Sequence, residues 1–360
     1  MIKMFENKYI KRLKPYSLVS QEVFNLNNKD LVLKLDWNEA TIDPSPKVYV
    51  KLRQVLKKGK LQWYPPLKNK KLLFLLSKYS KLEEKYIQYY PSSDSIHEYI
   101  ARAFVSPKDK IVIISPTYDN FRVTIESFGG HIIYYNLNKK FEFNYNNFIK
   151  FLKTKNPKMV YICNPNNPTG TIYSKEIIEK LICKFKKTLF IVDEAYYEFG
   201  GISSKDLVKK YKNIIITRTF SKAFALAAFR IGYLLSCEEN IKILDKIRNP
   251  KNVTALTQEA AIAALEDKKY MLKYVVEVKL AKRYFCSELK KLKLSHLSGG
   301  GNFVLINFKK HKNKIITLNK QQLFVREYKD NILAGWIRIT IGTRENMKRV
   351  ISIIKECKNE

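Results

Sequence analysis

TRTFSKAFALAAFRIGY, residues 217–233, sets a lysine, Lys222, just after two hydroxyl residues, Thr219 and Ser221, and eight residues before Arg230. Small and apolar residues fill the gap. A lysine among Ala, Phe and Leu is a poor choice unless its amine is wanted there. Burying an ammonium is costly or drives the group to its neutral form. A neutral amine is a nucleophile towards an aldehyde. Thr219, Ser221 and Arg230 add two hydroxyl donors and a planar cation, a set suited to phosphate. The competing explanation is a basic residue at the edge of an amphipathic helix in a lysine-rich chain.

Outward from this stretch, short β-branched runs alternate with helical ones. KIVIIS, HIIYYN, KMVYIC, TLFIVD, NIIITR and IGYLLS read as strands, and 117–128 and 174–185 as helices between them. This alternation predicts an α/β fold with a mostly parallel sheet covered on both faces. Ligands bind at the strand ends of such sheets, where the polar motifs of this chain lie. NPNNPTG (164–170) is a turn whose Gly170 can take backbone conformations other residues resist. VDEAYYEF (192–199) puts a carboxylate, Asp193, at the close of an apolar strand, where it needs a partner. Ser92-Ser93-Asp94-Ser95 precede a helix, serving either as caps or as a phosphate cup. Helices are also expected from Pro46 to about Leu56, over 67–79 and over about 267–292.

Composition narrows the class. At 360 residues with 46% hydrophobic and 13% aromatic content, the chain is folded and long enough for about two domains. The formal net charge of +34 raises the possibility of a nucleic-acid partner. The lysines are spread along the whole length, however, and no helix-turn-helix, zinc-finger or RNP pattern is present. No apolar run approaches the ~20 residues that cross a bilayer, and the N-terminus has no signal-type apolar core. Five dispersed cysteines without CxxC or zinc spacing read as reduced thiols, so the expectations are a cytoplasmic setting and no metal.

The stretch around Lys222 resembles the Schiff-base signature of fold-type I pyridoxal-phosphate aminotransferases, and in detail that of the histidinol-phosphate aminotransferase family. NPNNPTG, DEAYYEF, SKAFALAAFRIGY and RITIG follow in that family's order, and the likeness runs from about Tyr16 to Gly342. It implies the aspartate-aminotransferase-like fold. The expected division is a large cofactor-binding domain over 45–245, with 1–44 and 246–360 forming an N-terminal arm and a smaller α+β domain.

The resemblance also assigns roles. Lys222 holds pyridoxal phosphate and acts as base, and Asp193 pairs with the pyridine nitrogen. Asn167 and Tyr196 bond the ring oxygen, and Tyr118 lies over the ring. The amides of Ser93 and Asp94, with Thr219, Ser221 and Arg230, take the cofactor phosphate. Tyr64, in LQWYPP, reaches a partner's site, which implies a homodimer. Substrate falls to Arg338 and Arg326, with Tyr16, Asn38 and Lys251 nearby. The sequence departs from the family at Ala40–Asp43, at Ser92 and Ser95, and at Lys251, which replaces an aromatic residue and could equally be solvated. The activity implied is transfer of an amino group between glutamate or 2-oxoglutarate and a small phosphorylated amine or carbonyl. That compound could be histidinol phosphate or another ester such as an amino-polyol phosphate. Decarboxylation of a phosphorylated amino acid is the alternative, and nucleic-acid binding on the same scaffold a remote one.

Overall fold

The computed structural model describes residues 5–16, 22–26, 32–309, 323–328 and 332–359. In chain order the first half holds β1 (Leu33–Lys34), α1 (Pro46–Lys58), α2 (Lys70–Ser80), β2 (Ile87–Tyr90), α3 (Ser93–Phe104), β3 (Lys110–Ser115), α4 (Asn120–Ser127), β4 (His131–Asn136), α5 (Tyr145–Lys155) and β5 (Met159–Cys163). Next come α6 (Lys175–Lys184), β6 (Leu189–Asp193), β7 (Ile214–Thr219), β8 (Gly232–Ser236), α7 (Glu238–Asp245), α8 (Ala255–Glu266) and α9 (Lys268–Lys291). Last are β9 (His296–Leu297), β10 (Phe303–Asn307), β11 (Leu323–Phe324), β12 (Arg326–Glu327), β13 (Trp336–Thr340) and α10 (Arg344–Asn359).

The helices start where capping side chains are available. Ser45 accepts from the Lys47 amide at 3.2 Å ahead of Pro46, and Ser174 and Thr254 cap α6 and α8 in the same manner. Helix α4 starts at Asn120, three residues later than the sequence suggests. Thr117 and Tyr118 therefore stay in the turn after β3.

The larger sheet has the order β2-β8-β7-β6-β5-β3-β4. Its pairs from β4 through β3, β5 and β6 to β7 are parallel. Strand β8 turns back antiparallel to β7, and β2 pairs antiparallel to β8. The connection between β7 and β8 contains no crossover helix, which a parallel return would need. IGYLLS is thus a strand, as expected, but it runs against the parallel set, and IQYY is a seventh strand the sequence reading passed over.

Residue alternation puts core on both faces. Val112, Ile114, Val160, Ile162, Phe190, Val192, Ile214 and Ile216 join one apolar cluster with residues of α2, α5, α6 and α8. Ile111, Ile113, Met159, Tyr161, Ile191 and Ile215 join the other, with α3, α4 and α7. A parallel sheet buried on both sides reads as near-continuous apolar runs for this reason.

A smaller antiparallel sheet, β12-β13-β10-β9, follows α9. The segment after β1 is tied to it through β13, and to β11, which pairs with β1. The Leu35 amide donates to Phe324 O at 2.9 Å, and the Thr340 amide to Leu35 O at 2.9 Å. At Gly170 (φ 75°) a Cβ would lie 2.6 Å from the Gly299 nitrogen, so the glycine loop 299–301 packs directly on the 164–170 turn. Among the described residues no helix is long and apolar enough to cross a membrane. Cys163, Cys183, Cys237 and Cys286 are free thiols. The side chain of Cys357 lies outside the described residues.

Candidate active site

The carboxyl ends of the parallel strands deliver the side chains singled out in the sequence to one cavity of about 520 Å³. Strand β3 leads to Tyr118, β5 to Asn167, β6 ends at Asp193 and leads to Tyr196, and β7 ends at Thr219, three residues before Lys222. This volume lies within the roughly 300–1,000 Å³ usual for small-molecule sites.

Lys222 is half-buried, in the bend after β7, and its Nζ donates to the Trp37 carbonyl at 2.8 Å. Burial first, and then the positive charge of Arg338, hold the Lys222 amine down at about 8. The stretch is not an amphipathic helix: it leaves β7, passes left-handed positions at Ala225 and Arg230, and enters β8.

Asp193 is 3% exposed. Its Oδ2 accepts from Tyr161 Oη at 2.8 Å and its Oδ1 from the Ala195 amide at 3.1 Å. Neither donor is charged, and a cationic partner in the cavity would complete the pairing of the carboxylate.

Tyr196 Oη accepts from Asn38 Nδ2 at 3.1 Å and from Asn167 Nδ2 at 3.3 Å. With both lone pairs taken, the phenol has its own proton left to donate. Burial pushes its acidity down, so it stays protonated. Arg338 Nη1 donates to Asn167 Oδ1 at 2.6 Å, and Nη2 to the Asp36 carbonyl. Arg338 is thus not held by a carboxylate among the described residues, and its buried Nε has no hydrogen-bond partner.

Helix α3 points its first turn at the cavity. The Ser92 hydroxyl takes the Ser95 amide at 3.2 Å, while the amides of Ser93 and Asp94 have no acceptor within the helix. Ser92 sits at φ 86°, the left-handed region where glycine is at ease, so the serine here carries local strain. Gly232 makes the close approach possible. A Cβ there would fall 2.7 Å from the Arg218 carbonyl oxygen and 2.8 Å from the Ser93 amide nitrogen. Beside the helix, Thr219 Oγ1 and Ser221 Oγ lie 3.0 Å apart, and Arg230 reaches Asp94 Oδ2 at 3.3 Å. The Asp94 carboxylate is also taken by Tyr118 Oη at 2.9 Å, so it is the amide of Asp94 that remains for an anion.

These residues fit pyridoxal phosphate. An amine whose pKa is lowered to about 8 faces the same space as a buried carboxylate, a pair of hydroxyl and amide donors, and a helix N-terminus flanked by two hydroxyls and a guanidinium. The donor set matches aldehyde, ring nitrogen, ring oxygen and phosphate group by group.

Arg326 and Arg338 are directly opposed across β12 and β13, and both line the cavity. Like charges facing each other across a strand pair repel, and an anion between them would relieve that repulsion. Tyr16 stands by them, its ring 5.9 Å from the Arg326 guanidinium and edge-on to Tyr118. Tyr64 and Lys251 do not reach this cavity. Both are exposed and they pack on each other, Lys251 Nζ lying 4.3 Å from the Tyr64 ring centre.

Several lining residues escaped the sequence reading, among them Phe24, Asp36, Trp37 and Glu39. Asn38 was singled out, and the LDWNEA strand end around it was the available signal. Glu194, next to Asp193, is buried against Arg218 at 2.8 Å and is not among the residues lining the cavity.

Comparison with known proteins gives a consistent picture. The family described as aminotransferase class I and II matches residues 30–354. A dihydroxyacetone phosphate transaminase of Campylobacter jejuni is 44% identical over 98% of this chain and 97% of its own. A histidinol-phosphate aminotransferase of Clostridium novyi is 33% identical, covering 99% and 98%. Among solved structures, the histidinol-phosphate aminotransferase of Sinorhizobium meliloti in complex with pyridoxal-5′-phosphate superposes with a TM-score of 0.88 over 98% of this chain and 97% of that one. At 23% identity that match speaks for the fold: a large mixed-sheet domain with a smaller domain beside it.

Proposed function

The chain belongs to the class I and II aminotransferases and works with pyridoxal phosphate, and from that premise we propose that it moves an amino group from glutamate to a small phosphorylated ketone. Dihydroxyacetone phosphate is the first candidate, giving 2-oxoglutarate and an amino-propanediol phosphate. The opposed pair Arg326 and Arg338 carries the phosphate part of this reading. The 44% identity to the Campylobacter jejuni enzyme, against 33% to a histidinol-phosphate enzyme, supports the three-carbon skeleton.

When bound, pyridoxal phosphate supplies an aldehyde that takes up the amino group and a ring that draws electrons from the carbon bearing it. The remaining work falls to side chains of the chain. The Ser93 and Asp94 amides, the Thr219 and Ser221 hydroxyls and Arg230 hold the cofactor phosphate. Tyr118 packs against the ring face. Asp193 keeps a proton on the ring nitrogen. Tyr196, with its lone pairs occupied by Asn38 and Asn167, aims its proton at the ring oxygen. Lys222 would anchor the cofactor, and its Nζ, when free, would take the proton from the amine-bearing carbon of the substrate. An amine at about 8 is uncharged often enough near neutral pH to do so. Arg326 and Arg338 orient the acceptor by its phosphate, the Nε–H of Arg338 being a donor without a protein partner. Tyr64, exposed on this chain, would enter the site of a second copy, and Lys251 beside it would follow.

The test is an acceptor screen. Holoenzyme with glutamate is given dihydroxyacetone phosphate, unphosphorylated dihydroxyacetone and the ketone corresponding to histidinol phosphate, and 2-oxoglutarate is measured. The phosphorylated triose should be preferred over its free form by about a hundredfold or more in kcat/KM, two charge-assisted contacts being lost with the phosphate. Equal turnover of both would overturn the phosphate assignment. Preference for the imidazole ketone would replace the three-carbon skeleton and leave the arginines in place.

A further inference from the structure

One buried titratable side chain has no part in the chemistry above. His97, on α3, is fully buried beneath the cavity floor, among Phe121 (ring centres 5.2 Å apart) and Tyr161 (5.7 Å). Its Nε2 lies 3.7 Å from Asp193 Oδ2 and 3.4 Å from Thr217 Oγ1. Its Nδ1 is buried with no partner.

A proton on Nε2 faces Thr217 Oγ1 and Asp193 Oδ2, whereas one on Nδ1 would have no acceptor, so the tautomer with its proton on Nε2 is the form these contacts favour. That form still leaves an orphan acceptor at Nδ1, a defect a phenylalanine or leucine in the same aromatic slot would not have. Such a defect is tolerated where the other end of the ring has a task.

We propose that His97 is a positioning residue for Asp193: with Tyr161 it backs the carboxylate on the side away from the cavity. The Tyr161 hydroxyl, which donates to Oδ2 at 2.8 Å, and the His97 ring, whose Nε2 stands 3.7 Å from it, fix the orientation of the carboxylate. A carboxylate held in one orientation keeps its cavity-facing oxygen on the ring nitrogen of the cofactor. The inference rests on the reading that Asp193 faces that nitrogen. The titratable groups facing His97 are Asp193 and Tyr161 from the sheet and Glu98 on its own helix.

The test uses holoenzyme of the wild type and of His97→Phe, His97→Gln and Asp193→Asn. His97→Phe keeps the shape and removes the donor, while a glutamine amide reaches the position of Nε2. His97→Phe should lower kcat with glutamate about tenfold, leave KM within about twofold, and shift the pH midpoint of the cofactor's visible absorption band. His97→Gln should regain most of both. Wild-type kcat and absorption in His97→Phe, with Asp193→Asn inactive, would overturn the proposal alone. Full activity in Asp193→Asn would overturn the reading beneath it. If His97→Phe yields no folded protein, Tyr161→Phe in the wild-type and His97→Gln backgrounds decides. Coupling between the two positions supports the shared role, and strict additivity overturns it.

Discussion

Lys222→Ala is expected to abolish amino-group transfer, lowering kcat by about a thousandfold or more, since a positioned general base alone contributes about 10²–10⁴. The substitution removes both the anchor and the base while leaving Asn167, Asp193 and the helix α3 N-terminus in place, so the protein should still bind pyridoxal phosphate, though without covalent attachment. The fold should not suffer. The Nζ bond to the Trp37 carbonyl is lost, but so is the cost of holding an amine against Arg338. The wild-type lysine also predicts a pH dependence with a definite sign. Its pKa is lowered to about 8 from 10.5, so the free amine grows as pH rises through 8 and is scarce two units below. Capture of pyridoxal phosphate by cofactor-depleted protein should accelerate with pH up to about 8 and then level off. A rate that is flat from pH 6 to 9 would deny the lowered value.

Asp193→Asn should be nearly as damaging, with kcat reduced by about a hundredfold or more, comparable to removing a preorganised charge from other active sites. An asparagine has the same outline: its Oδ1 can still accept from the Ala195 amide while its Nδ2 donates to the Tyr161 oxygen, so folding is preserved. What disappears is the negative charge that holds a proton on the ring nitrogen. The melting temperature is therefore expected to stay within a few degrees of the wild type while turnover collapses. Retained turnover at an unchanged melting temperature would remove Asp193 from the chemistry.

The parts of the site that were legible in the sequence are those whose chemistry is local. NPNNPTG combines turn-forming Asn and Pro with a glycine, and the structure shows Gly170 at positive φ against Gly299. Asp193 announced itself as a carboxylate ending an apolar strand. Lys222, Thr219, Ser221 and Arg230 lie within a dozen residues, so their convergence needed only a strand end and a tight return. Ser92 stood out as a departure, and it does occupy a backbone conformation that suits glycine better.

What escaped depends on register and on distant elements. The facing of Arg326 and Arg338 follows from the pairing of β12 with β13, which neither strand encodes alone. The Trp37 carbonyl reaches Lys222 only because the segment after β1 is tied to β11 and β13. His97 reads as one polar residue on an otherwise amphipathic helix; its meaning comes from Asp193 and Tyr161, on β6 and β5. The return of β8 and the presence of β2 were hidden for a simpler reason. Short apolar runs carry no direction, and IQYY is too brief to show a period.

Everything proposed for the chemistry depends on where the cofactor is attached. Purified protein supplied with pyridoxal phosphate can be reduced with borohydride, digested and mapped by mass spectrometry. The expected result is a phosphopyridoxyl group on Lys222 within the 217–233 segment. An unmodified Lys222 in folded, cofactor-treated protein, or a label fixed on another lysine instead, would contradict it.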